Sequence, residues 1–241
     1  HPRTEQRLVH LLYQTLLALA HLQRQDRFHG LLRPEAIFEA GEDLYRLALH
    51  HRPGPCPEHT QLEWFLRGQP LFVEPSLFEA MRARRPGTLY YNPRKADVFA
   101  LGLILLQTAL GVSVQCVYGS QGFSLQELGS LLERFRQQFP SSVMLHTTLV
   151  HMLQANQAQR PDPECLLKAL ASYEKVQQHL AQQRRSEANP QTVRVSPQPI
   201  YTVRYPPMPV EGSAGTPTFE APPVIPPRAP ITRFAPQNRP F

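Results

Sequence analysis

The sequence predicts a mainly helical domain with one small β-hairpin, followed by a disordered proline-rich tail. Three observations carry this. Leucines and other apolar residues recur at helical spacing in several segments of the first 185 residues. Of the 26 prolines, 14 fall within residues 187–241, where helix and central strand are barred by the missing amide and the fixed φ. The chain has 241 residues, so setting the tail aside leaves about 185, enough for one core but not for a two-domain enzyme of ordinary size. The boundaries are 1–185 for the domain and 186–241 for the tail.

The elements follow in order. Leu8, Leu12, Leu16 and Leu19 form a stripe that predicts a helix over 4–24, with Thr4 as N-cap. Apolar pieces around Ala36–Phe38 and Leu44–Leu49 flank an acidic turn at Gly41 and predict a hairpin. Residues 50–71 mix His, Pro and Gly without periodicity and read as a loop. A short helix is expected over 75–82. Asp97 opens the most apolar helix, which ends at Gly111. Further helices are expected at 124–138, 142–154 and 162–184, the last with Asp162 as cap and Pro163 in its first turn.

Charge and cysteine content narrow the function classes. The chain carries 25 Lys+Arg against 19 Asp+Glu, a net +6 spread along its length. That marks no nucleic-acid face. Only three lysines occur (95, 168, 175), so arginine supplies nearly all the cations and favours planar, bidentate contacts. Three cysteines without a C-x-x-C pair argue against a disulfide scaffold. With no signal peptide visible, an intracellular, cytoplasmic setting is expected. The longest apolar run, Val98 to Leu106 with Gly102 inside it, is far short of the roughly 20 residues a membrane span needs. Beginning at His1, the chain reads as a fragment.

Five blocks then stand in a distinctive order: His29-Gly30-Leu31-Leu32-Arg33-Pro34-Glu35-Ala36-Ile37-Phe38; Leu47-Ala48-Leu49-His50-His51; Phe72-Val73-Glu74-Pro75-Ser76; Lys95-Ala96-Asp97-Val98-Phe99-Ala100-Leu101-Gly102; and Arg160-Pro161. They resemble the eukaryotic protein kinase motifs H-R-D-L-K-P-E-N-I-L, L-A-D-F-G, Y-L-A-P-E, K-S-D-V-W-S-L-G and the late R-P. The resemblance covers roughly residues 4–182. It implies the kinase C-terminal lobe, a mainly helical fold with a small hairpin, without the small N-terminal lobe.

The departures decide what the resemblance implies about activity. Phosphoryl transfer of this type rests on positioning and charge stabilisation. Where the family places its proton-accepting Asp, this chain has Leu31; where it places an Asn for magnesium, Ala36; where it places the metal-binding Asp, Leu49. None offers an oxygen to a cation that demands oxygen. The resemblance therefore implies a catalytically inactive, pseudokinase module with no cofactor. The residues it retains are structural: His29 in a hydrophobic spine, Arg33 in place of Lys, Pro34, Glu35, Pro75, Asp97 as cap of the catalytic-loop backbone, Gly102 and Arg160. The family pairs Arg160 with the Glu of A-P-E; Ser76 stands there, and Glu74 is the candidate replacement.

Other features weigh less. His50, His51, Cys56 and His59 lie close together, but among prolines and at no standard zinc spacing, so they read as a solvated loop. Glu35 reads as structural rather than substrate-contacting. Trp64 and Phe65 either dock a partner or cover the emptied cleft, and the second reading is preferred. The resemblance places Phe38 where the family has a smaller residue on the floor of its adenine pocket, which disfavours nucleotide.

In the tail, Pro223, Pro226, Pro227 and Arg228 spell P-x-x-P-x-R, a polyproline II ligand for SH3-type grooves. An imperfect ten-residue repeat, Thr192–Pro199 and Thr202–Pro209, offers duplicated linear sites. Tyr201, Tyr205, Thr192, Ser196 and Thr216 are candidate phosphorylation sites. The expected function is a protein-binding scaffold or allosteric regulator, with an SH3-type partner on the tail and another protein on the lobe. No nucleic acid and no membrane span are expected. The alternatives are a divergent kinase that binds nucleotide or transfers phosphate once joined to an upstream lobe, and a basic tether to nucleic acid or membrane.

Overall fold

The computed structural model describes residues 2–40, 44–49, 57–84, 91–171, 173, 176 and 198–199, all within a unit spanning residues 1–204. Helix α1 (Pro2–Arg24) leads through a 3-10 turn (Pro34–Ala36) into strands β1 (Ile37–Glu39) and β2 (Tyr45–Leu47). Helices α2 (Pro57–Leu66), α3 (Pro75–Arg82) and α4 (Pro93–Leu110) follow. A two-residue hairpin, β3 (Tyr118–Gly119) and β4 (Gly122–Phe123), precedes α5 (Leu125–Gln138), α6 (Val143–Met152) and α7 (Pro163–Ala171). A last strand, β5, is Gln198–Pro199. The described structure is mainly helical.

The most apolar segment sits at the centre. Val98, Phe99, Leu101, Leu103, Ile104, Leu105 and Leu106 of α4 are all buried, as a helix apolar on every face requires. Helix α1 packs against α4 and α7 with the stripe of Leu8, Leu12, Leu16 and Leu19 turned inward. Helices α5 and α6 pack on α4 and on each other through Leu128, Leu131, Phe135, Leu145 and Leu149. A second cluster, Leu71, Val73, Leu77, Phe78 and Met81, lies around α3.

Several boundaries correct the sequence reading. Helix α4 begins at Pro93, and its cap is Asn92, whose side chain accepts from the amides of Arg94 and Lys95. Asp97 therefore lies inside the helix, its carboxylate turned away from the helix axis ladder to another segment. Gly111 closes α4 in the left-handed region at φ 65°, as its place after the last periodic residue predicts. Helix α1 starts at Pro2, so Thr4 falls in its first turn rather than at its cap. Residues 57–66, read as loop, form α2; Pro57 begins it, and Gln61, Leu62, Trp64 and Phe65 turn toward the protein, a mixed polar and apolar face that does not register as a period. The helix expected over 162–184 breaks at Tyr173, whose amide bonds Leu170 three residues back. Asp162 caps α7 by accepting from the Cys165 amide at 2.9 Å.

The predicted hairpin forms. Ile37 faces Leu47 and Glu39 faces Tyr45 in antiparallel register, closed by a bond from the Ala40 amide to the Leu44 carbonyl at 2.7 Å. On the other side of β1, Glu39 pairs Gln198 and Phe38 pairs Pro199, giving the order β2-β1-β5. Proline is tolerated there because β5 is an edge strand. The other tail features, including Pro223, Pro226, Pro227, Arg228 and the candidate phosphorylation sites, lie outside the described residues.

Candidate functional site

The loop from Phe28 to Ala36 has its backbone held by one carboxylate. Asp97 Oδ2 accepts from the His29 amide at 2.7 Å and Oδ1 from the Gly30 amide at 2.8 Å. Asp97 is 3% exposed, and burial pushes its carboxyl up to about 7 against the opposing pull of the two amides. Gly30 adopts φ 75°, a turn that a side chain would strain. The His29 ring completes the loop: Nδ1 accepts from the Leu31 amide at 3.3 Å and Nε2 lies 2.9 Å from the Ala48 carbonyl. That pair of contacts assigns the ring proton to Nε2. His29 is thus a polar staple between loop and hairpin as well as a buried ring.

Leu31 and Leu49 are half-buried and Ala36 is buried, with Leu49 packed against the main core. All three present hydrocarbon to this region. Arg33 Nε bonds Glu35 Oε2 at 2.7 Å, and its guanidinium lies 4.6 Å above the Trp64 ring. Pro34 starts the 3-10 turn and is buried.

Helix α2 covers this loop. Gln61 Nε2 donates to the Gly30 carbonyl at 2.7 Å, Trp64 lies under Arg33, and Phe65 meets Phe78 edge-on at 5.8 Å. Trp64 and Phe65 are both half-buried, Trp64 against Arg33 of the loop and Phe65 against Phe78 of α3. An open groove of about 510 Å³ remains beside α2, lined by Arg33, Glu35, Ala36, Trp64, Gln69 and Pro70.

A buried ion pair braces the far side. Arg160 Nη1 lies 2.5 Å from Glu74 Oε2, both side chains fully buried. The guanidinium also donates to the carbonyls of Lys95, Gln154 and Ala155 and sits 4.7 Å from the Phe99 ring. Ser76, half-buried, takes no part. Glu74 is positioned by α3: it is the residue before Pro75, extended at φ −70° and ψ 159°, which frees its carboxylate from the helix. Gly102 lies where α4 meets Leu153.

Sequence reasoning missed two clamps. The extended segment before α3 has no strand partner, and side chains satisfy it instead. Gln115 accepts from the Leu71 amide at 2.8 Å and donates to the Leu71 carbonyl at 2.9 Å. Tyr118 Oη accepts from the Val73 amide and donates to the Val73 carbonyl, each at 2.8 Å. Burial raises the Tyr118 hydroxyl above its usual range. Gln61 was the other omission; sitting in a segment read as loop, it gave no signal.

His50, His51 and Cys56 lie outside the described residues. Among the described residues, no group of three or more His, Cys, Asp and Glu is placed to hold a metal ion, and no helix is long and apolar enough to cross a membrane. Comparison with protein-family models and with curated proteins finds no match to this chain.

Proposed function

We propose that the chain is a non-catalytic, protein-kinase-like module that binds proteins, acting as a scaffold or as an allosteric regulator of an active enzyme. The observation that carries this is the contrast within one loop. The backbone support from Asp97 to His29 and Gly30 is in place, while Leu31, Ala36 and Leu49 bring hydrocarbon to the positions that the family resemblance assigns to proton transfer and metal binding. Magnesium and phosphate need oxygen and charge at those positions. Helix α2 then occupies the face of the loop where a substrate would approach, through Gln61 and Trp64.

Two surfaces are offered to partners. One is the groove formed by Arg33, Glu35, Trp64 and Pro70. The other is the P-x-x-P-x-R sequence at Pro223, Pro226, Pro227 and Arg228, suited to an SH3-type groove with acidic residues for the arginine. Differential scanning fluorimetry with ATP, with and without Mg²⁺, tests the loss of catalysis: no shift in melting temperature is expected, and steady phosphate transfer to any acceptor overturns the reading. Pull-downs with the whole chain and with residues 187–241 removed separate lobe partners from tail partners. Capture of no protein by either form would remove the scaffold reading.

A further inference from the structure

Beneath helix α2 lies a cavity of about 10 Å³ bordered by Gly30, Gln61, Glu74, Tyr91, Ala96 and Asp97, with apolar side chains closing the remainder. Two of these residues bring buried acceptors that have no protein partner, Gln61 Oε1 and Glu74 Oε1. Gln61 is 8% exposed and Glu74 is 0% exposed. Their other polar atoms are engaged. Gln61 Nε2 donates to the Gly30 carbonyl at 2.7 Å, which sets the orientation of the amide, because a carbonyl can only accept. Glu74 Oε2 is held by Arg160 at 2.5 Å.

We propose that this cavity is the site of a single bound water, donating one O–H to Gln61 Oε1 and the other to Glu74 Oε1. The donor count matches: two unmet acceptors and a ligand with two protons to give. The volume also matches, since one water needs roughly 10–15 Å³ of such space. A metal ion does not fit the same inventory. It would require about six oxygens, and the neighbouring ones are committed: both Asp97 oxygens to amides, Glu74 Oε2 to Arg160, and the Gly30 carbonyl to Gln61. The water therefore joins α2 to the Arg160–Glu74 pair. Helix α2 is held over the loop at two polar points, directly at Gly30 and through this water at Glu74, so its release from the loop and loosening of the ion pair are coupled.

A crystal structure of the whole chain at a resolution that shows ordered solvent tests the site directly. The expected result is one density peak at about 2.7–3.2 Å from both Oε1 atoms. A dry cavity overturns the proposal, and so does a peak at about 2.3–2.6 Å surrounded by six or more oxygens, the signature of a cation such as Ca²⁺. In solution, oxygen-17 relaxation dispersion counts long-lived buried waters, and Gln61→Leu should remove one from the total. An unchanged count overturns the proposal. Should Gln61→Leu fail to fold, a water-to-side-chain nuclear Overhauser effect at the Gln61 amide protons of the unaltered chain decides: its absence overturns the site.

Discussion

Arg160 and Glu74, 86 positions apart in the chain, form a fully buried ion pair 2.5 Å from nitrogen to oxygen. The arginine is further bonded to three main-chain carbonyls, so its charge is met on all sides. Such a pair adds little over an apolar substitute, but breaking it from one side is costly. Glu74→Ala should destabilise the chain by about 3–5 kcal/mol in denaturant unfolding. Ser76→Ala, two residues on, should change stability by less than about 0.5 kcal/mol. Equal losses from the two substitutions would show that Glu74 is not the partner that matters.

Asp97 makes stability depend on pH in an unusual direction. Its carboxyl lies at about 7 in the folded chain and near the ordinary Asp value of 3.8 when unfolded. The folded state therefore keeps a proton that the unfolded state gives up. Stability from this group is complete below about pH 4 and is lost as pH rises through about 7. Across pH 4 to pH 8 the melting temperature of the natural chain should fall relative to that of Asp97→Asn, because the charged carboxylate carries a burial cost that the neutral amide lacks. A difference between the two that does not vary with pH would refute this.

Removing Asp97 altogether has a separate effect. Asp97→Ala leaves the buried amides of His29 and Gly30 unpaired, each at a cost of about 1–3 kcal/mol. Hydrogen exchange at those two amides should accelerate far more than at the amides of α5, which Asp97 does not touch.

Tyr118 acts through its hydroxyl. Tyr118→Phe keeps the ring contacts with Phe78 and Phe123 but leaves both the amide and the carbonyl of Val73 without a partner. A loss of about 1–3 kcal/mol is expected in chemical denaturation. A loss below a few tenths would mean that the clamp is replaced by solvent.

Gly102 is a site of close approach. A Cβ there would stand 2.9 Å from Leu153 Cδ2 and Cγ. In a free helix, Gly→Ala stabilises by about 1 kcal/mol; here overpacking of about 1–3 kcal/mol should reverse the sign. Calorimetry of Gly102→Ala alone and combined with Leu153→Ala measures it: the two changes should cost less together than the sum of their separate costs.

What could be read beforehand divides along a physical line. Helices α1, α4 and α5 were legible because each turns a dense apolar face to the core, and α4 is closed by a local signal at Gly111. Helix α2 was not, since the polar Gln61 interrupts the apolar side chains Leu62, Trp64 and Phe65 that turn toward the protein. Asn92 caps α4, and Asp97, five residues on, turns its carboxylate to the amides of His29 and Gly30 instead.

By itself, the sequence determined the mainly helical character, the pairing of β1 with β2, the central place of residues 98–106, and the hydrocarbon at positions 31, 36 and 49. These follow from periodicity, composition and residue type, which are local. Tertiary structure alone decided the geometry of the buried Glu74–Arg160 pair, that Gln61 bonds the Gly30 carbonyl, and that Gln115 and Tyr118 stand in for a missing strand. Each of these joins residues about 30 to 90 positions apart, where the residue types permit many pairings. Burial selects among them, because a polar group taken out of water must find its partner where the packed helices place it.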